Sequence, residues 1–387
     1  MREALKYLKG DPVIWVLVYF LLMTSLVSVY SFVDILARTE GGSPLGYLAK
    51  HTVHIVIGGV VMFLIHKQDP KYFSKLARFI FIISILLLAF TMLFGVKVNE
   101  ASRWIKVPIV GISFQTSDLA RLALILYLAK QLVKRKDYLS DWKKGFMPIV
   151  LPILLVCALI AKDNFSTSAI IFTISLGVLF IGQFPFKRIA ALIGSGLALF
   201  GVIILLHLAL PAANLLPRFD TWMSRFFKAY GETPNLVDNA QAINAELAIH
   251  SGGFFGVGVG DGKLKEYTPE AYADFYFSSF VEEFGIIGAV VLILLYLILL
   301  YRIIRIGLNA EKLFETYVCV GIGMLLLSQA AVNMLVCTGI IPVTGQNIPF
   351  LTMGGSAMIM ACVSIGIVQS IAAKQTTQKK STQNDLA

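Results

Sequence analysis

Asp274 stands in the run Asp274-Phe275-Tyr276-Phe277, at the end of a long polar segment and just before an apolar stretch of membrane length. A carboxylate at such a border is costly unless it caps a helix or does acid–base chemistry. Spacing alone leaves both readings open. Glu282 and Glu283 follow one to two turns later, and Glu283 falls within the apolar stretch. An ionised group there normally finds a partner or a polar cavity; Arg121 is a candidate partner.

Side chains able to hold an anion lie in two other places. The first is Ala101-Ser102-Arg103-Trp104-Ile105-Lys106, followed by Phe114-Gln115-Thr116-Ser117-Asp118-Leu119-Ala120-Arg121. Asp118 and Arg121 are three apart on the opening turn of an apolar block, so they share a helix face and can pair. Ser117 is a natural N-cap, and Asp118 suits a helix N-terminus. One reading is a capped helix with a structural ion pair; the other is an outward-facing cationic wall of Arg103, Lys106 and Arg121. The second place is the glycine run Gly256 to Gly262, with Lys263 and Lys265 after it. A nucleotide-binding loop would require a preceding strand, a following helix and a cytoplasmic position, and none of these holds. The glycines instead point to sharp turns or a close backbone approach, and the two lysines to a solvated loop or further anion contacts. An uncharged link from Thr338 to Ser356, with Pro342, Pro349 and several glycines, reads as rigid and irregular. At membrane depth such backbone survives only when buried in protein or lining a cavity.

The elements that must position these residues are membrane helices. The chain has 387 residues, 57% of them apolar and 14% charged, with a mean hydropathy of +0.78. That is more apolar and less charged than a soluble domain. Ten apolar blocks approach or exceed the length of a bilayer crossing: roughly 13–33, 50–66, 77–95, 117–134, 146–161, 165–183, 188–208, 278–302, 313–337 and 352–373. The expected fold is an all-α polytopic membrane protein of about ten transmembrane helices. The net charge of +10 is a topology signal and not a nucleic-acid patch. Arg2, Lys67, Lys134, Lys143, Arg188, Arg302 and Lys374 fall on one side with most other basic residues, which places both termini in the cytoplasm.

One large outer loop, about 209–277, breaks the pattern of short connections, and loops of that length are usually functional. Within it, Leu215, Phe219, Trp222, Phe226 and Tyr230 recur at helical spacing, as in an amphipathic interfacial helix. A second helical stretch runs from Leu236 to His250 and stops at Gly252-Gly253. The tail 374–387 is polar and reads as disordered and cytoplasmic. Cys157, Cys319, Cys337 and Cys362 lie in apolar blocks as small hydrophobes. His51 and His54 lack a third metal ligand nearby, so no metal site is assigned.

Together these segments resemble the SEDS family (shape, elongation, division and sporulation), which includes FtsW and RodA. The family's Arg-Trp, followed by a Gln-x-Ser-Glu-Leu-Ala-Lys-like run, is similar to Arg103-Trp104 and Gln115 to Arg121. Its spaced glycines resemble Gly252 to Gly260, and its Asp-Phe-x-Phe with a later Glu-Glu-x-Gly resembles Asp274 to Phe277 and Glu282 to Gly285. Its Pro-x-x-Gly, Pro-Phe and Gly-Gly-Ser resemble Pro342 to Ser356. The four motifs occur in family order across a single domain, 1–373.

The resemblance implies a peptidoglycan glycosyltransferase that polymerises lipid II at the outer face of the bacterial cytoplasmic membrane. It implies a class B penicillin-binding protein as transpeptidase partner, alongside other divisome membrane proteins. The family's essential aspartate aligns with Asp274, as general base in an inverting transfer. Arg103, Lys106, Gln115, Ser117, Asp118, Arg121, Lys263 and Glu283 become the candidate substrate-binding residues. No resident cofactor is implied, and a divalent cation such as Mg or Mn is compatible with a pyrophosphate leaving group. Asp118 and Arg121 depart from the family's Glu and Lys; charge is kept, but a planar fork replaces a point charge. The Ala-Ser-Arg-Trp segment and Pro342-Val343-Thr344-Gly345 look closer to the division member, FtsW, with a RodA-like elongation polymerase as the runner-up. A lipid II flippase without polymerase activity is the rival from another class.

Overall fold

The computed structural model describes residues 8–98, 101–106, 113–162, 164–209, 240–268 and 270–385. Its helices are α1 (Pro12–Glu40), α2 (Pro44–His66), α3 (Pro70–Phe94), α4 (Thr116–Lys134), α5 (Met147–Ala161), α6 (Phe165–Ile181), α7 (Phe186–Ala209), α8 (Ala240–Gly252), α9 (Tyr276–Leu308), α10 (Leu313–Cys337) and α11 (Gly355–Asp385). Every one of the ten predicted blocks is a helix. Among the described residues, eight helical stretches are long and apolar enough to cross a membrane; α6 is a shorter apolar helix. The remaining block is α4, which carries Asp118, Arg121, Lys130 and Lys134 among its residues.

The first three helices start in the same way. Asp11, Ser43 and Asp69 cap α1, α2 and α3, each with a side-chain oxygen accepting main-chain N–H groups, and a proline follows at the first helical position. Proline costs nothing there because its missing N–H would be unpaired anyway. Packing between α2 and α11 is backbone-close. A Cβ on Gly58 would stand 2.8 Å from Cys362 Sγ, and one on Gly355 would stand 2.6 Å from His54 Nε2. Small residues of this kind let membrane helices approach when lipid supplies no hydrophobic drive.

The all-α polytopic class holds, with one small addition: Val96–Val98 (β1), Ala101–Lys106 (β2) and Ser113–Gln115 (β3) form an antiparallel sheet in the order β1-β2-β3. One expectation is corrected: the polar tail does not leave the helix, because α11 continues to Asp385. Lys374 pairs with Glu315, Gln375 donates to the Ile306 carbonyl and Gln378 to Glu311, so polar contacts replace the apolar packing that composition shows to be missing. The segment predicted as an amphipathic helix, 215–230, lies outside the described residues.

Candidate functional site

Asp274 ends a short turned segment, its N–H donating to the Glu270 carbonyl at 3.0 Å. The N-cap position of α9 belongs to Phe275, which makes no side-chain cap bond. Asp274 is therefore one residue outside the cap, and the capping role that spacing allowed is corrected. Its half-buried carboxylate faces Gly345, where a Cβ would stand 3.6 Å from Oδ2. Gly345 has φ +70°, a conformation L side chains avoid. The Asp274 turn and the irregular link after α10 are thus brought together.

Asn333, on α10 and 1% exposed, joins those two segments. Its Nδ2 faces three carbonyls, those of Gln346 at 2.7 Å, Asp274 at 2.9 Å and Ala273 at 3.2 Å. Its Oδ1 accepts from Phe277 N–H at 3.3 Å, one of the opening donors of α9. The Gln346 side chain continues inward, with Nε2 donating to Thr167 Oγ1 at 2.7 Å and Oε1 accepting from Arg121 Nη1 at 3.4 Å. Arg121 pairs with Asp118 at 3.2 Å, and Ser356 Oγ donates to Asp118 Oδ2 at 3.3 Å. A continuous polar chain therefore runs from the Asp274 backbone to the Asp118–Arg121 pair inside the bundle.

The glycine run has a different task. Gly285 interrupts α9 with φ +68° and ψ −175°. The main-chain groups freed at that break are taken up by the loop after α8. Ile286 and Ile287 N–H donate to the carbonyls of Gly253 and Phe254, while Val257 and Gly258 N–H donate to the carbonyls of Glu282 and Glu283. A Cβ on Gly256 would stand 2.1 Å from the Glu283 carbonyl oxygen. Close approach is the correct half of the sequence reading, and what is approached is the α9 backbone. Glu282 Oε1 accepts from Lys263 and Leu264 N–H at 2.9 and 3.1 Å, which sews the rest of the loop down.

Several predicted residues land differently from expectation. Glu283 pairs with Lys265 and accepts from Ser31 of α1, so its partner is not Arg121. Lys265 is 3% exposed and no part of a solvated loop; Lys263 is exposed. Arg121 is buried with Asp118, which removes it from an outward-facing wall. Ser117 is buried in the first turn of α4, and the N-cap position falls to Gln115, without a side-chain bond. Arg103 and Lys106 sit in β2, where Trp104 pairs with Gln115 and Lys106 with Ser113. The sheet thereby joins the two halves of that motif at the head of α4. The side chains of Arg103 and Lys106 lie outside the described residues. Among the described residues, no group of three His, Cys, Asp or Glu side chains is placed to hold a metal ion. His51 bonds to Ser25 Oγ at 2.8 Å, a structural contact.

Asn333, Gln346, Ser31 and Thr167 were missed. A lone asparagine within an apolar block was the available signal for Asn333, since a buried amide must find partners for both its donor and its acceptor.

Comparison with known proteins follows the same outline. The family model of FtsW, RodA and SpoVE, described as "Cell cycle protein", matches residues 12–377. A Geobacter sp. protein named "Probable peptidoglycan glycosyltransferase FtsW" is 32% identical over 370 residues, covering 94% of this chain and 97% of the relative. A chain from a peptidoglycan synthase complex, solved for the structural coordination of polymerization and crosslinking, superposes with a TM-score of 0.73 at 23% identity. It covers 95% of this chain and 98% of its own length. The rod shape determining protein RodA of Thermus thermophilus superposes with a TM-score of 0.68 at 23% identity, covering 95% and 97%.

Proposed function

The chain belongs to the FtsW, RodA and SpoVE family, and from that membership we propose that it is a peptidoglycan glycosyltransferase of the FtsW type. It polymerises lipid II at the outer face of the bacterial cytoplasmic membrane during cell division. The observation that carries the reading is Asp274, a carboxylate set at the head of α9 against Gly345 and tied through its backbone to Asn333.

In the reaction, a sugar hydroxyl of one chain attacks the anomeric carbon of another. The new glycosidic C–O bond forms as the bond from that carbon to the lipid pyrophosphate breaks, with inversion. The hydroxyl proton passes to the Asp274 carboxylate, a general base whose contribution is on the order of 10²–10⁴-fold. Negative charge gathers on the leaving pyrophosphate and calls for preorganised cations. Lys263, with Arg103 and Lys106 from β2, supplies them on this reading, and a divalent cation would serve the same end. Arg121 acts from beneath, through Gln346. A class B penicillin-binding protein is the crosslinking partner, a reading supported by the fold shared with a chain of a peptidoglycan synthase complex that coordinates polymerization and crosslinking.

Purified full-length protein with its transpeptidase, given fluorescent lipid II in detergent, should make glycan chains, and Asp274→Asn should reduce them by about 10² or more. Absence of polymer from the wild type, or equal polymer from Asp274→Asn, would overturn the proposal. Movement of lipid II across vesicles without polymer would favour the flippase instead.

A further inference from the structure

We propose that Asn333 is a positioning residue for the transfer reaction, setting the direction of the Asp274 carboxylate by clamping the Asp274 turn to the Gly345–Gln346 backbone. The inference rests on the reading of Asp274 as the base.

The geometry leaves few other tasks for this side chain. Asn333 is 1% exposed; its Nδ2 is turned to backbone carbonyls, and its Oδ1 accepts from Phe277 N–H and, at 3.7 Å, from Cys337 Sγ on the same helix. Its Nδ2 bonds reach carbonyls on two segments far apart in sequence, Ala273 and Asp274 on one side and Gln346 on the other. Its Oδ1 holds Phe277 N–H, so the first turn of α9 is fixed in the same grip. The carboxylate between these anchors faces Gly345, the residue before Gln346. One planar amide therefore sets the spacing between the base and the wall it faces.

The residue type matters. Alanine would leave three carbonyls and one N–H without this partner. Aspartate has nearly the same shape but presents an oxygen, not an N–H, to those carbonyls, and like dipoles repel. Glutamine is one methylene longer and would push the turn outward. Gln346 extends the grip inward to Thr167 and Arg121, so the clamp stands on the buried bundle. Misplacement of a reacting group by about 1 Å can cost roughly 10²-fold in rate. The effect should fall on turnover, because Asn333 makes no contact with Lys263 or with the β2 strand in the hydrogen bonds described.

The test uses full-length protein with its transpeptidase and fluorescent lipid II. Wild type, Asn333→Ala, Asn333→Asp, Asp274→Asn and the double variant Asn333→Ala/Asp274→Asn are compared. Each rate is normalised to folded protein by size exclusion and thermal unfolding. The expected results are a fall in kcat of about 10–100-fold for both Asn333 variants, with KM within about twofold and a displaced acid limb of the kcat–pH profile. The double variant should be no slower than Asp274→Asn alone, since a residue acting through another is non-additive with it. Unchanged kcat per folded molecule, a fall confined to KM, or multiplicative losses in the double variant would overturn the inference while leaving the base assignment standing. Failure of both Asn333 variants to fold would make the residue a requirement of the fold and would likewise overturn it. A wild type that makes no polymer sinks the functional reading and this inference together.

Discussion

Asp118 and Arg121 stand 3.2 Å apart one turn along α4, their side chains 6% and 5% exposed. With Gln329, Asn347 and Ser364 they line a cavity of about 30 Å³, room enough for a water. Breaking a buried pair is costlier than removing it, because the surviving charge keeps its desolvation penalty. Asp118→Asn and Arg121→Met should each lower stability by about 3–5 kcal/mol. The double variant should lose less than either. Arg121→Lys keeps the charge but gives up the fork that reaches Asp118 and Gln346 together, and should fall between. Thermal unfolding in detergent reads all four, and a double variant as unstable as the sum of the singles would refute the pairing argument.

Lys265 and Glu283 make the second closed pair, with Ser31 from α1 as a third member. Lys265→Met leaves Glu283 with Ser31 and the more distant Gly260 N–H, at 3.3 Å. The expected cost is again about 3–5 kcal/mol, together with faster proteolysis within 253–268 as the loop comes away from α9. Lys263→Met, at an exposed position two residues earlier, should change stability by no more than about 0.5 kcal/mol. Its effect belongs in kcat/KM for lipid II, which should fall severalfold as the leaving pyrophosphate loses a cation; an unchanged kcat/KM takes Lys263 out of the site.

The helices were legible because hydrocarbon length is a one-dimensional signal, and all ten blocks formed where apolar runs stood. Their starts were less so. The runs beginning at 50 and 77 open in the structure at Pro44 and Pro70, because the Ser-Pro and Asp-Pro caps precede the apolar residues that drew attention. Within the site, i,i+3 spacing revealed Asp118 with Arg121, since both lie on one helix. Glu283 with Lys265 was not legible, because that pairing depends on a glycine loop folding back onto a broken helix. The same holds for Asn333: nothing local to α10 says that residues 273, 274 and 346 will converge on it.

The charge asymmetry predicts that the glycine loop lies outside the cell and the α4–α5 turn inside. Cysteines placed at Lys263 and at Lys143 test this directly, both positions being exposed. An impermeant maleimide added to intact spheroplasts should label Lys263→Cys and leave Lys143→Cys unlabelled until the membrane is opened. The native thiols supply a low background, as Cys319, Cys337 and Cys362 are buried and Cys157 is partly so. The reverse labelling pattern would invert the topology and remove Asp274 from the outer face.

Glycine substitutions separate close approach from backbone conformation. At Gly256 both apply: φ is +81°, and a Cβ would meet the Glu283 carbonyl carbon at 2.4 Å and Gly285 N at 2.7 Å. These are main-chain atoms of a membrane helix, so no side-chain rotation relieves the clash. Gly256→Ala should cost more than about 4 kcal/mol or abolish folding. Gly285→Ala should do the same, with Gly256 N at 2.4 Å. Gly260 has φ +90° with nothing within 4 Å, so Gly260→Ala carries the left-handed penalty alone, about 1–2 kcal/mol. Gly59 is helical and faces open space, and Gly59→Ala should gain up to about 1 kcal/mol from helix propensity. Thermal unfolding of the four variants should therefore rank them Gly59→Ala, Gly260→Ala, then the other two. Equal tolerance at Gly256 and Gly260 would mean that the loop is not sewn to α9, and that Glu282 and Glu283 hold it by their side chains alone.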